Sequence, residues 1–122
     1  MTHLRAPGPG RSVLDMKVSA TSVALSGLNA ADTALAVSAN NVANAGSGAF
    51  APSRVDAEAA ESGGVKVSIS QAAAQAVPVD YAAELATQSR AVATYQANLK
   101  TIQTADEAQA AALKLVEQQR QP

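Results

Sequence analysis

Between Lys17 and Arg54 the chain carries a single charged residue, Asp32. Within that run a seven-residue register holds, with Leu14, Thr21, Leu28, Leu35 and Val42 on one track and Val18, Leu25, Asp32 and Ala39 on its companion. Two such tracks are the paired inner positions of a coiled-coil seam. A helix whose outer side meets water places Lys and Glu there, whereas a helix without charge all round is buried all round. The side opposite the seam here is Val23, Ala30 and Val37, flanked by Ser19, Ser26, Thr33, Ala20 and Ala34. One partner helix cannot cover both faces, so this helix requires a second covering surface.

Its limits are readable from capping chemistry. Ser12 with Asp15 three positions on is an acceptable N-cap pattern, and Gly46 follows the last periodic residues as a helix stop, which predicts a helix over 12–45, about 50 Å long. Asn40, Asn41 and Asn44 crowd its last turn on the face away from Leu28, Leu35 and Val42. Asparagine competes with the backbone for hydrogen bonds, so the cluster either caps the helix end or meets a partner or the following loop. Ahead of the helix, Pro7-Gly8-Pro9-Gly10 suits neither helix nor sheet and predicts a flexible tail over 1–11. His3 lies in that tail with no second histidine or cysteine to complete a site, and Met16 is an alternative translation start.

Residues 46–78 change character. Val65-Lys66-Val67-Ser68-Ile69-Ser70 alternates strictly, Gly63-Gly64 supplies a turn before it, and residues 50–60 are the candidate opposing strand. A lone two-stranded hairpin is marginal in water, so it must lean on a helix or a neighbour. Glu58 and Glu61 beside the turn read as solvated carboxylates, since nothing convergent accompanies them. Pro78-Val79-Asp80 then opens a second helix, expected over 79–119 and about 60 Å long. Its register places Leu85, Val92, Leu99, Asp106 and Leu113 on one track and Tyr81, Gln88, Tyr95, Ile102, Gln109 and Val116 on the other. The seam that pairs the two helices is therefore Leu25, Leu28, Leu35, Val42, Leu85, Val92, Tyr95, Leu99, Ile102 and Leu113. Asp32 and Asp106 each interrupt it, either tolerated at exposed ends of the seam or fixing its register.

The fold class is mainly α: two long helices pairing as an antiparallel coiled-coil-like hairpin within one domain, 1–122, with a β-hairpin insert between them and a disordered N-terminal tail. Alanine accounts for 30 of the 122 residues, while Leu, Ile, Val and Phe together number 24. That is little core material for so long a chain, and with a net charge of −1 it suggests packing completed against other molecules. Three aromatic residues and no basic patch exclude nucleic acid as a partner. No run is long and apolar enough for a membrane span, and the start lacks the apolar core of a Sec signal peptide. With no cysteine, no nucleophile and base pair, no metal cluster and no phosphate loop, the sequence reads as non-enzymatic and without cofactors or metals.

Two motifs carry a resemblance. Ser26-Gly27-Leu28-Asn29-Ala30-Ala31, followed by Ala39-Asn40-Asn41-Val42-Ala43-Asn44-Ala45, resembles the N-terminal signature of the bacterial flagellar rod and hook (axial) protein family. The stretch from Tyr95-Gln96-Ala97-Asn98-Leu99-Lys100 through Thr101-Ile102-Gln103-Thr104-Ala105-Asp106-Glu107 resembles its C-terminal motif. Where many members carry a Thr-Gly-Phe-type run, Ser47-Gly48-Ala49-Phe50 inserts an alanine, and Ala51-Pro52 follows in place of polar residues. The middle is too short for the outer domain of hook-type members, so the likeness points to small rod proteins of the basal body.

The resemblance implies a structural subunit exported without a Sec signal through the flagellar type III apparatus to the periplasm. It implies other rod proteins or further copies of the chain as partners. The subunit contacts it implies are Val23, Ala30, Val37, Asn40, Asn41 and Asn44 on the first helix and Gln103 and Asp106 on the second, Gln103 being equally at home on an ordinary helix surface. The competing expectation is a soluble helical-hairpin adaptor or export partner that does not assemble into the rod.

Overall fold

The computed structural model of the chain describes residues 13–48, 50–71 and 78–122. The expected tail over 1–11, with His3, and Ser12 as N-cap lie outside the described residues. The elements run α1 (Val13–Ala43), β1 (Ser53–Ala59), β2 (Val65–Gln71) and α2 (Tyr81–Arg120). Two helices packed together with an antiparallel hairpin between them is the architecture expected from the two registers and the alternating segment.

Boundaries shift for local reasons. The α-helix ends at Ala43 and gives way to consecutive turns, in which Asn44 N donates to Asn40 O, Ser47 N to Asn44 O and Phe50 N to Ser47 O. Pro78 and Val79 precede α2 instead of forming its first turn. Asp80 is its N-cap, in an extended conformation, and its carboxylate accepts from Ala83 N at 3.1 Å.

The hairpin pairs Ser53 with Gln71 through Ala59 with Val65. Its loop closes with Ala60 N donating to Gly64 O and Gly63 N to Ala60 O, both at 3.0 Å. Gly63 and Gly64 sit at φ +89° and +90°, backbone that only glycine adopts without strain. The register puts Val55, Ala57, Val65, Val67 and Ile69 on one face and Arg54, Asp56, Glu58, Lys66, Ser68 and Ser70 on the other. On the polar face Glu58 lies opposite Lys66, and Ser70 Oγ donates to Asp56 at 2.8 Å.

Both strands pack on α1, and neither brings a backbone position within 8 Å of α2. The near-uncharged helix is therefore covered on one side by α2 and on the other by the chain's own hairpin. Val23, Ala30 and Val37, expected to face another subunit, lie on the hairpin side: Gly63 approaches Val23, and Ala30 and Val37 floor a cleft walled by β1. The second covering surface that the sequence demands is supplied in part within the chain, with Val23 still 42% exposed and Ala30 and Val37 half-buried.

Candidate functional site

The contact between the helices is built from small residues. Ala24, Gly27, Ala31, Ser38 and Asn41 of α1 are buried, as is Ala91 of α2. Gly27 shows how close the approach is, because a Cβ placed there would stand 2.5 Å from Asn98 Nδ2 and 2.6 Å from its Oδ1. Further along, Ser38 Oγ donates to the Glu84 carbonyl at 3.1 Å and accepts from Gln88 Nε2 at 3.2 Å. Gly27 opposite Asn98, with Ser38 and Asn41 opposite Glu84 and Gln88, is an antiparallel pairing.

The expected seam is turned by one residue in each helix. The buried track of α1 is Ala24, Ala31 and Ser38 where Leu25, Asp32 and Ala39 were expected. In α2 the inner track is Glu84, Ala91, Asn98, Ala105 and Ala112 where Leu85, Val92, Leu99, Asp106 and Leu113 were expected. Leu28, Val42 and Ile102 remain half-buried beside the contact. Leu25 (54% exposed), Leu35, Leu85 (65%), Val92, Tyr95, Leu99 and Leu113 are exposed. The reason is steric: small side chains let two backbones approach closely, and the leucines, too large for that gap, are displaced to its flanks. Leu35, Val92, Tyr95 and Leu99 meet there as an open apolar groove, with Ala31 and Ala91 in its floor and Asp32 on its rim. Asp32 is thus an exposed residue beside the helix contact and not a polar member of it.

The asparagine cluster divides into three roles. Asn40 is exposed. Asn44 Nδ2 donates to the Asn40 carbonyl at 2.8 Å, capping its own helix end. Asn41, expected on the outer face, is 1% exposed and joins three elements. Its Nδ2 donates to Ser53 O (2.8 Å) and to Glu84 Oε1 (2.9 Å), while its Oδ1 accepts from Ser53 N (2.9 Å). Both amide hydrogens and the oxygen are used, which is why an asparagine, and neither Asp nor Leu, suits this position. At the hairpin's far end Ser26 makes a second latch: its Oγ accepts from Val65 N at 3.0 Å and donates to Val23 O at 2.6 Å. A Cβ on Gly64 would run into that hydroxyl.

Gln103 and Asp106 are exposed on α2, on the side away from its inner track. Sequence reasoning missed Ser38, Glu84 and Asn98, polar residues at positions of the helix contact, and the hairpin-latching roles of Ser26 and Ser53. A polar residue recurring in phase with alanine was the available signal. Among the described residues no group of three or more His, Cys, Asp or Glu is placed to hold a metal ion, and no helix is long and apolar enough to cross a membrane.

Comparison with curated proteins finds no match. Residues 22–46, the uncharged run of α1 with its capping turn, match the family described as Flagella basal body rod protein. That match covers both latching residues of α1, Ser26 and Asn41, and the glycine of the close helix approach, and it is a likeness of this one segment, about a fifth of the chain, to that family.

Proposed function

We propose that the chain is a structural subunit of the bacterial flagellar basal-body rod, exported from the cytoplasm through the flagellar type III apparatus and packed in the periplasm with other rod proteins or further copies of itself. One observation carries the reading: the small residues hold the helix pair together, leaving Leu25, Leu35, Leu85, Val92, Tyr95, Leu99 and Leu113 exposed on its flanks. Leu115 and Val116 add to them near the end of α2. Large apolar side chains exposed along both helices are what a subunit buries against neighbours.

Head-to-tail contacts that do not close into a ring generate a helical filament, and close-packed helices make it stiff enough to transmit torque. The reading divides the former interface set. Asn40, Gln103 and Asp106 stay as candidate subunit contacts alongside the exposed leucines, while Asn41 acts within the chain. Circular dichroism of the purified chain at falling concentration tests it: loss of helix toward low micromolar concentration is expected, and a compact monomer stable there counts against a subunit that depends on neighbours. Deletion of the gene is expected to stop rod assembly and motility, and normal filaments in the deletion strain would sink the proposal.

A further inference from the structure

The seven-residue register of α2 is not the one that its contact with α1 uses. Glu84, Ala91, Asn98 and Ala105 turn toward α1, and the two tracks read from the sequence lie to one side of them. One track is Leu85, Val92, Leu99, Asp106 and Leu113, and the other is Tyr81, Gln88, Tyr95, Ile102 and Gln109. Paired tracks at this spacing are the inner positions of a coiled coil, yet Leu85, Val92, Tyr95, Leu99 and Leu113 are exposed. The groove of about 430 Å³ between the helices, with Leu35 in its wall, is the middle of this stripe. The hairpin packs on the other side of α1, over Ala30, Ala34 and Val37, and leaves the stripe open.

We propose that a second copy of the chain covers this stripe in solution, the two α2 helices lying antiparallel about a two-fold axis at Ala97. The stripe is self-complementary in that register. Val92 meets Ile102 of the second copy, Tyr95 meets its Leu99 and Tyr81 its Leu113, over about 48 Å of helix. The two polar members, Gln88 and Asp106, meet each other. Gln88 Nε2 donates one hydrogen to Ser38 Oγ at 3.2 Å, and an amide carries two, leaving the second for the Asp106 carboxylate of the other copy. A polar pair inside a seam fixes its register. Leu85 opposite Gln109 is the one mixed layer. Other alignments fail on the same residues: a parallel, in-register pair sets Asp106 against its own copy, and a shift of one heptad either way sets it against Tyr81 or Tyr95 and sets Gln88 against Leu99 or Leu113. Pairing Asp106 with Gln109 sets Tyr95 against Arg120 and leaves Leu85 and Val92 uncovered. The outer flank of the stripe, Ser89, Gln96, Gln103 and Ala110, is uncharged and adds no repulsion. Leu35 of α1 borders the same groove, so each copy contributes both of its helices and the product is an antiparallel four-helix bundle.

The chain has no cysteine, so introduced ones report the register directly. Full-length Val92→Cys and Ile102→Cys proteins are oxidised separately and as a mixture. The mixture is expected to give a disulfide-linked dimer in about tenfold greater yield than either protein alone, because identical positions of the two copies stand about 15 Å apart along the axis, too far for a disulfide. Sedimentation equilibrium of the unmodified chain from about 1 to 100 μM is expected to show a monomer–dimer equilibrium. Leu99→Asp is expected to weaken that dimer about tenfold or more, at about 1.4 kcal/mol per factor of ten, with the helix content of the monomer unchanged. A chain that stays monomeric throughout overturns the proposal, as does a dimer that Leu99→Asp leaves unweakened. Disulfides as abundant in each protein alone as in the mixture also overturn it, since they mark a parallel pair. The dimer belongs to the free chain, so the result does not depend on whether the chain assembles into a rod.

Discussion

Replacing Asn41 with alanine removes a side chain that ties α1, β1 and α2 together. Three hydrogen bonds go, two to Ser53 and one to the Glu84 carboxylate. Neutral bonds contribute about 1 kcal/mol each and a bond to a charged group about 1.5–3 kcal/mol, so the loss is about 3–5 kcal/mol at the base of the hairpin. The close contact at Ala24, Gly27, Ala31 and Ala91 does not involve Asn41, so the helix pair should survive. Amide exchange of the full chain separates the two effects. Opening of the Ser53 amide is expected to become about 10²- to 4 × 10³-fold more frequent, at about 1.4 kcal/mol per factor of ten, while far-ultraviolet circular dichroism changes little. The Val65 amide, held by Ser26 at the other end, is expected to lose less protection. Ser53 protection within threefold of the wild-type value would refute the assignment of Asn41 as the joint.

Other predictions follow from the same geometry. Gly27→Ala gains about 1 kcal/mol of helix propensity but displaces the Asn98 side chain, which loses its 2.9 Å bond to Thr94 O, so thermal unfolding is expected within about 1 kcal/mol of wild type. Adding Asn98→Ala makes Gly27→Ala stabilising by about 1 kcal/mol relative to Asn98→Ala alone, and strict additivity would contradict the close approach. Thr21 Oγ1 is buried without a hydrogen-bond partner, so Thr21→Val is expected to raise stability by about 1 kcal/mol in denaturant titration. Asn40→Asp is expected to impair rod assembly with helix content intact, because Asn40 is exposed. Asn44→Asp removes a donor to the Asn40 carbonyl and places negative charge at a helix C-terminus, so it should also fray the helix end, by about 0.5–1 kcal/mol. Equal loss of assembly and helix content in the Asn40 variant would favour a simple capping role.

The periods of the chain were legible and their phases were not. Seven-residue spacing gave two antiparallel helices, strict alternation with Gly63-Gly64 gave the hairpin, and both are where the sequence placed them. Ranking positions by hydrophobicity then chose Leu25 and Leu85 over Ala24 and Glu84. Two helices that approach closely choose by size instead, and one residue of rotation separates the answers. The absence of charge on α1 correctly required two covering surfaces, yet it carried no information on whether the second belongs to the same chain. That was settled by Ser26 and Asn41, whose partners lie 39, 12 and 43 residues away. Local pattern holds no trace of such pairings. Asn40, Asn41 and Asn44 looked alike in sequence because a helical turn of about 100° per residue separates neighbours, enough to send one asparagine inward and leave the next in solvent.

The central claim is that the exposed leucines flanking the small-residue contact are buried in an assembled rod. Mass spectrometry of basal bodies purified from cells producing the native chain tests it most directly, with Leu85→Asp beside the wild type. Leu85 is 65% exposed, so the substitution costs the isolated chain little, on the order of 0.5 kcal/mol. The wild-type chain is expected in the purified particles and the variant is expected to be absent from them while still present in the cell. Finding the wild-type chain only in the cytoplasm, or the variant incorporated as fully as the wild type, would contradict the account.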